Sequence, residues 1–329
     1  MKKGNSIFSQ IIFLLNIIAL VFIWKSGQNN YLYTPDLLIY KNAIINFNGD
    51  YLQSIIDNNI IVILISKIFI IDSYYLINIL QSISILFLTF ILLKYFKPYY
   101  VLSIVLITFF NLYLNQFRSA FAISFFLISF YNKKNIKLNL MFLFLALIFH
   151  FFISVFFIIF FYFEDIKTFY YKEEKYLLSF FLLLILVTII GYFNSNLFLR
   201  YIYYFTPKQN NGVFSLKFLI LLFILIMNKR FFKKNNLIIL YCVSFLLFIT
   251  SIFFLDSFST RISEWMIILI LFFLSSRITK NTVVLKMKNI KTFFENNNVL
   301  ILSTIYFLYS ILNVIFADRD FINKFIMKF

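Results

Sequence analysis

The chain has 329 residues, of which 62% are hydrophobic and only 13% charged, with a mean hydropathy of +0.91. A water-soluble domain cannot hide that much apolar surface, so the composition points to a membrane protein. Five Gly and three Pro exclude collagen-like, Pro-rich and flexible-linker architectures together with the soluble enzyme folds. The apolar runs are long and unbroken where a membrane β-barrel needs short alternating segments, which makes the expected fold class all-α.

A crossing of the hydrocarbon core takes about twenty apolar residues. In chain order the spans predicted on that rule are 7–24, 74–93, 98–114, 117–131, 176–193, 214–228, 236–255, 262–276 and 299–316. The first follows Met1-Lys2-Lys3 but lacks a small-residue cleavage site, and it reads as a transmembrane helix, not a signal peptide. Residues 58–71 are apolar, too few for a comfortable span, and carry Lys67, which predicts a re-entrant or interfacial helix after the polar loop 25–57. Residues 138–163 form an uncharged run of 26, too long for one average span and too short for two. The whole chain, 1–329, is read as one multi-pass domain of about ten transmembrane helices, with outer loops at about 25–57 and 194–213.

Thirty Lys and Arg against thirteen Asp and Glu give a net charge of +17. In a soluble protein this would suggest nucleic acid, but in a polytopic membrane protein the excess is cytoplasmic Lys that fixes topology, so no nucleic acid is expected. The same rule decides the 138–163 run. With the amino terminus cytoplasmic and the run broken near His150 into two short helices, 19 of the 30 basic residues face the cytoplasm; a single crossing lowers that number to 14. The competing reading is one long tilted helix. One cysteine, Cys242, and one histidine, His150, leave neither a disulfide framework nor a metal site built on several imidazoles or thiolates, so no metal is expected.

The six Arg are informative because Lys, encoded by A- and T-rich codons like the abundant Phe, Ile, Asn and Tyr, outnumbers Arg 24 to 6. In the broken-run topology Arg118, Arg200, Arg261 and Arg319 fall at or near the outer face, four of its eleven basic residues, against two of nineteen inside. A guanidinium offers the planar fork that suits phosphate and carboxylate, so the bias points to an outer site for an anion. Arg118 lies in Asn115-Gln116-Phe117-Arg118-Ser119-Ala120-Phe121-Ala122, at the outer junction of two short spans. Its position so close to a membrane helix marks a functional candidate, against the alternative of an interfacial Arg that snorkels to headgroups. Arg261 and Glu264 stand three apart on one helical face, as a site or as a local ion pair. His150, set among Phe149, Phe151 and Phe152, is either a proton acceptor for an attacking hydroxyl or a core residue bonded to a neighbouring helix. In the loop 25–57, Tyr31, Tyr33, Asp36, Tyr40, Asp50 and Tyr51 suit sugar binding and equally suit an interfacial aromatic belt.

These residues carry a family resemblance. A first helix is followed by a loop with Asp36 and Tyr40, by Asn115-x-x-Arg118 leading into Ala120-x-Ala122, by a Lys-rich turn at 133–137, by Ala146-x-x-x-His150, and late in the chain by Arg261-Ile-Ser-Glu264. That ordered set resembles the EpsG family of bacterial polysaccharide polymerases, the Wzy-type polymerases of O-antigen, capsule and exopolysaccharide. The likeness runs over nearly the whole chain and is strongest over 111–163 and 256–270. Ser119 stands where the family often has Gln, and Phe152 where it often has Ser or Thr.

The resemblance implies a GT-C-like helical bundle in the bacterial cytoplasmic membrane, acting on undecaprenyl-diphosphate-linked glycan as donor and acceptor at the extracytoplasmic face. A chain-length regulator and a flippase are the partners it implies. On this reading His150, Arg118 and Arg261 are catalytic, and Arg200, Asn115, Asp36, Tyr40 and Glu264 bind substrate. The leaving lipid diphosphate needs fixed cationic donors; the attacking hydroxyl needs a base, for which His150 is first and Asp36 or Glu264 in reserve. The donor is already activated, so no cofactor is expected, and the chain has no Gly-rich phosphate loop. The rival readings are a flippase or transporter of the same lipid-linked glycans and a glycan-to-lipid ligase. The chain shows no internal duplication of the kind common in transporters.

Overall fold

In a computed structural model of the protein, the described residues are 3–28, 40, 42–49, 60–68, 73–114, 116–132, 135–150 and 290–317, with isolated positions at 153, 154, 157, 223, 224, 226, 227, 265, 267, 268, 270, 271 and 274. Among them the regular structure is entirely helical, with no strand. The elements are α1 (Lys3–Gln28), α2 (Ile60–Ile68), α3 (Ser73–Tyr95), α4 (Pro98–Thr108), a π-helix (Phe109–Tyr113), α5 (Phe117–Tyr131), α6 (Ile136–Phe149) and α7 (Ile290–Ala317). The spans predicted at 176–193 and 236–255 and the outer loop 194–213 lie outside the described residues.

Two helices are long and apolar enough to cross a membrane, over Ile7–Lys25 and Tyr75–Tyr95. On α1, Phe8, Ile12, Leu15, Ala19 and Ile23 are buried at helical spacing. Its opposite face exposes Phe13, Leu14, Ile17, Val21 and Trp24, an apolar surface that water would not tolerate and acyl chains would. Several hydroxyls within the helices are satisfied by their own backbone. Ser103, Thr108, Ser124, Ser303, Thr304 and Ser310 each donate to the carbonyl four residues earlier, a device suited to a medium without water.

The junctions follow from local chemistry. Pro98 holds Lys97 in an extended conformation and starts α4 at its first helical position, which separates α3 from α4. Asn132 closes α5, its side-chain amide donating to the Ile128 carbonyl at 2.7 Å, and Asn135 caps α6 by accepting from the amide of Leu138. α5 and α6 thus form a tight antiparallel hairpin, cross-linked by the Ser129 hydroxyl donating to the Asn139 carboxamide oxygen. α2 has nine residues, about 14 Å of helix, and cannot span a bilayer. Its Lys67 lies over the ring of Phe47, 4.3 Å from the centroid.

Ring contacts fix which helix ends lie together. Tyr95 stacks on Tyr131 at 3.9 Å, and Phe8 meets Tyr99 edge-on at 5.9 Å. The amide of Leu300 donates to the Tyr99 hydroxyl at 3.2 Å. The start of α1, the α3–α4 and α5–α6 junctions and the start of the apolar part of α7 therefore share one end, and Lys94, Lys97 and Lys137 belong to it. Arg118 and His150, at the opposite termini of α5 and α6, belong to the other end.

The 138–163 run is broken at the histidine. α6 stops at Phe149, and His150 is extended, with φ −157° and ψ 97°. Residues 153, 154 and 157 are helical again. Phe121 meets Phe149 at 4.9 Å, whereas Phe126, further down α5, meets Phe157 at 5.3 Å. Had α6 continued straight, Phe157 would lie about 12 Å beyond Phe149 at the helical rise, past the end of α5. Its place beside Phe126 requires the chain to double back.

Candidate functional site

The N-terminal junction of α5 is built by the π-helix before it. A π-turn widens the ladder by one residue per turn, and such turns are frequent at functional sites. The Tyr113 carbonyl, at the end of that turn, accepts from the side-chain amide of Gln81 on α3, which satisfies an acceptor that the helix terminus would otherwise leave open. After the bend, Phe117 anchors the first turn of α5. It is fully buried and meets the Tyr40 ring edge-on at 4.6 Å. Tyr40, Val62, Leu76, Ile77, Leu80, Phe117 and Phe121 form a small apolar cluster distinct from the main core.

Arg118 rests on that cluster. Its Nε donates to the Tyr40 hydroxyl at 3.0 Å, and its guanidinium carbon lies 4.5 Å from the centroid of the same ring. The aromatic face holds the cation and the hydroxyl fixes the plane of the fork. Nε is thereby engaged, and the geometry suited to a bidentate anion is that of the two terminal NH2 groups. Tyr40, expected to bind substrate, is 2% exposed and holds Arg118 in place. The Ser119 hydroxyl donates to the Gln116 carboxamide at 3.2 Å, so the amide next to this Arg comes from the residue two positions before it.

His150 stands at the same end of the α5–α6 hairpin as Arg118. Its backbone closes α6, the amide donating to the Ala146 carbonyl at 3.0 Å. Its ring meets Trp265 edge-on at 5.7 Å. Trp265 is the one described residue of the late segment singled out in the sequence. Asn115, Asp36, Arg200, Arg261 and Glu264 lie outside the described residues. The structure thus joins Arg118 to Tyr40 and puts His150 at the same level of the bundle. Sequence reasoning missed the roles of Trp265 and Gln81. Trp265 carried a weak signal as one of only two tryptophans; Gln81 carried none.

Comparison with protein-family models, with curated proteins and with solved structures finds no match to this chain.

Proposed function

We propose that the protein is a multi-pass membrane glycosyltransferase that joins undecaprenyl-diphosphate-linked oligosaccharide repeat units into a surface polysaccharide at the extracytoplasmic face. The observation that carries this reading is the Arg118–Tyr40 pair, a guanidinium oriented by a buried aromatic hydroxyl at the bundle end opposite Lys94, Lys97 and Lys137. In the reaction the bond between the donor sugar's anomeric carbon and the diphosphate oxygen breaks, and its electron pair leaves with the diphosphate. The acceptor hydroxyl oxygen forms the new bond to that carbon and gives its proton to a base. Charge develops on a lipid diphosphate at the membrane surface, where a fixed fork of N–H donors is most effective. Arg118 supplies it, with Arg261 and Arg200 as further cations.

The glycan profile of cells that carry an inactive variant tests the activity. A polymerase defect leaves single repeat units capping lipid. Export of no repeat unit, or polymer accumulating on the carrier, would replace this reading by a flippase or a ligase respectively.

The sidedness is testable separately. In a Cys242→Ala background, single cysteines near 150 and 205 are expected to react with an impermeant thiol reagent in whole cells. Those at 133–137, 167–175, 229–234 and 280–291 are expected to react only after permeabilisation. Labelling at 170 or 232 in intact cells would overturn the proposed topology.

A further inference from the structure

The short helix α2 has one buried face and one bare apolar face. Val62 and Ile63 are buried, Val62 within the cluster that holds Tyr40 and Phe117, whereas Leu64 is 43% and Ile68 72% exposed. Segment 42–49 repeats the pattern, since Ile44 packs against the same cluster and Ile45 is 60% exposed. Phe47 joins the two pieces by lying under the Lys67 ammonium, a pairing of cation and ring that suits the headgroup layer. The depth of this assembly follows from α3. Its apolar stretch, Tyr75–Tyr95, rises about 30 Å, the thickness of the hydrocarbon core, which sets Tyr75 at one boundary. Only four residues separate Ile68 from Ser73, so the end of α2 is tethered to that boundary. The α3 members of the cluster are Leu76, Ile77 and Leu80, all within about 8 Å of Tyr75 at the helical rise. A helix that lies in the plane of a membrane buries its apolar face by about 5–10 Å, the same level. A re-entrant helix is shielded by protein instead, and nine residues driven inward would reach about 14 Å, well past Leu80.

We infer that α2 and segment 42–49 lie flat in the bilayer leaflet at the Arg118 end, with Ile45, Leu64 and Ile68 among the upper acyl chains and Lys67 at headgroup level. The partner of this surface is lipid. α3 presents the same kind of face to the membrane below it, where Tyr75, Ile83, Leu86 and Phe90 are exposed, and α2 continues that face at the boundary. A second protein is a poor match, because three side chains fall far short of the roughly 20 residues per side that a stable protein interface takes. The inference stands independently of the reaction proposed above. Its consequence for the site is that Tyr40, whose hydroxyl holds Arg118, shares its cluster with a helix seated in the membrane surface.

Spin-label depth tests this. Ile45→Cys, Leu64→Cys and Ile68→Cys are made singly in the full-length Cys242→Ala protein, with Leu86→Cys, exposed near the middle of α3, as the reference. All four positions are exposed, so a label there displaces no core packing. Each protein is labelled, reconstituted in vesicles of phosphatidylcholine and phosphatidylglycerol, and read by power saturation against oxygen, which concentrates among acyl chains, and against a nickel chelate, which stays in water. The labels at 45, 64 and 68 are expected to favour oxygen over nickel and to share one depth, no more than about 10 Å below the headgroups. The label at 86 is expected deepest, about 15 Å down, near the bilayer centre. A depth that increases along α2 toward the value at 86 would make the helix re-entrant and overturn the inference. Nickel access as high as in bulk water would give the face to solvent, and low access to both reagents would give it to protein; either overturns it. A water-level reading at 86 would remove the α3 span itself and the inference with it.

Discussion

Arg118→Lys is expected to abolish long glycan chains although the positive charge is kept. The lysine ammonium is one hydrated point charge on a flexible stem, while the leaving diphosphate of the proposed reaction would need two parallel donors in a plane. Loss of a preorganised donor to a developing anion costs roughly 10²- to 10³-fold in rate. The geometry adds a reason particular to this site. The fork is oriented by an Nε–H to the Tyr40 hydroxyl, and lysine has no equivalent donor at that depth to hold its head still. Tyr40→Phe keeps the ring beneath the guanidinium and removes only the acceptor for Nε. Its loss should be smaller, on the order of tenfold, as for one hydrogen bond to a charged group. Arg261→Lys should resemble Arg118→Lys, while Arg230→Lys and Arg277→Lys, placed on the cytoplasmic side by the charge distribution, should be nearly silent. Chain-length distribution of extracted polymer, normalised to protein in the membrane, reads all five; equal behaviour of the four Arg→Lys variants would show that the outer-face Arg bias carries no function.

The helices were legible because apolar runs in lipid have few alternatives. The span predicted at 117–131 coincides with α5, and those predicted at 7–24 and 74–93 lie within α1 and α3. The span 98–114 hides a change of ladder, since Phe109–Tyr113 is a π-helix and nothing in the pentad Phe-Phe-Asn-Leu-Tyr distinguishes five residues per hydrogen-bonded turn from four. The break at His150 was legible only through the charges of loops elsewhere in the chain. The run itself gives no signal, being apolar on both sides of the histidine. The short helix expected within 58–71 is found at Ile60–Ile68, but its ring partner for Lys67 is twenty residues away and had no sequence signature. The candidate site was half legible. Arg118 and His150 stood out by rarity, whereas the hydrogen bond from Arg118 to Tyr40 spans 78 positions and depends on how the α5 junction meets a loop. The assignment of proton acceptor to His150 rested on its residue type, its rarity in the chain and the family resemblance.

Thr89→Val is expected to destabilise the bundle more than its size suggests, because three buried side chains share one chain of hydrogen bonds. The Asn16 side-chain amide donates to the Ile12 carbonyl at 2.9 Å, and its Oδ1 accepts from the Thr89 hydroxyl at 3.0 Å. Thr89 Oγ1 also lies 3.0 Å from the Tyr113 hydroxyl. Threonine has a single hydroxyl proton, already given to Asn16, so Tyr113 must be the donor to Thr89. The order of donation runs from the π-helix through α3 to α1, and it ties the element that aims Arg118 to two neighbouring helices. Valine has nearly the shape of threonine and leaves both Asn16 Oδ1 and the Tyr113 hydroxyl without a partner. An orphaned buried polar group costs about 1–3 kcal/mol in water-soluble proteins, and bonds between membrane helices measure lower, about 0.6 kcal/mol on average; a loss of about 2 kcal/mol in detergent unfolding follows. The order of effects is the sharper test. Replacing all three by apolar residues of similar shape, Asn16→Leu with Thr89→Val and Tyr113→Phe, removes the orphans along with the bonds and should recover part of the loss. A triple variant less stable than Thr89→Val would mean that the bonds themselves, and not the avoidance of unpaired groups, hold these helices together.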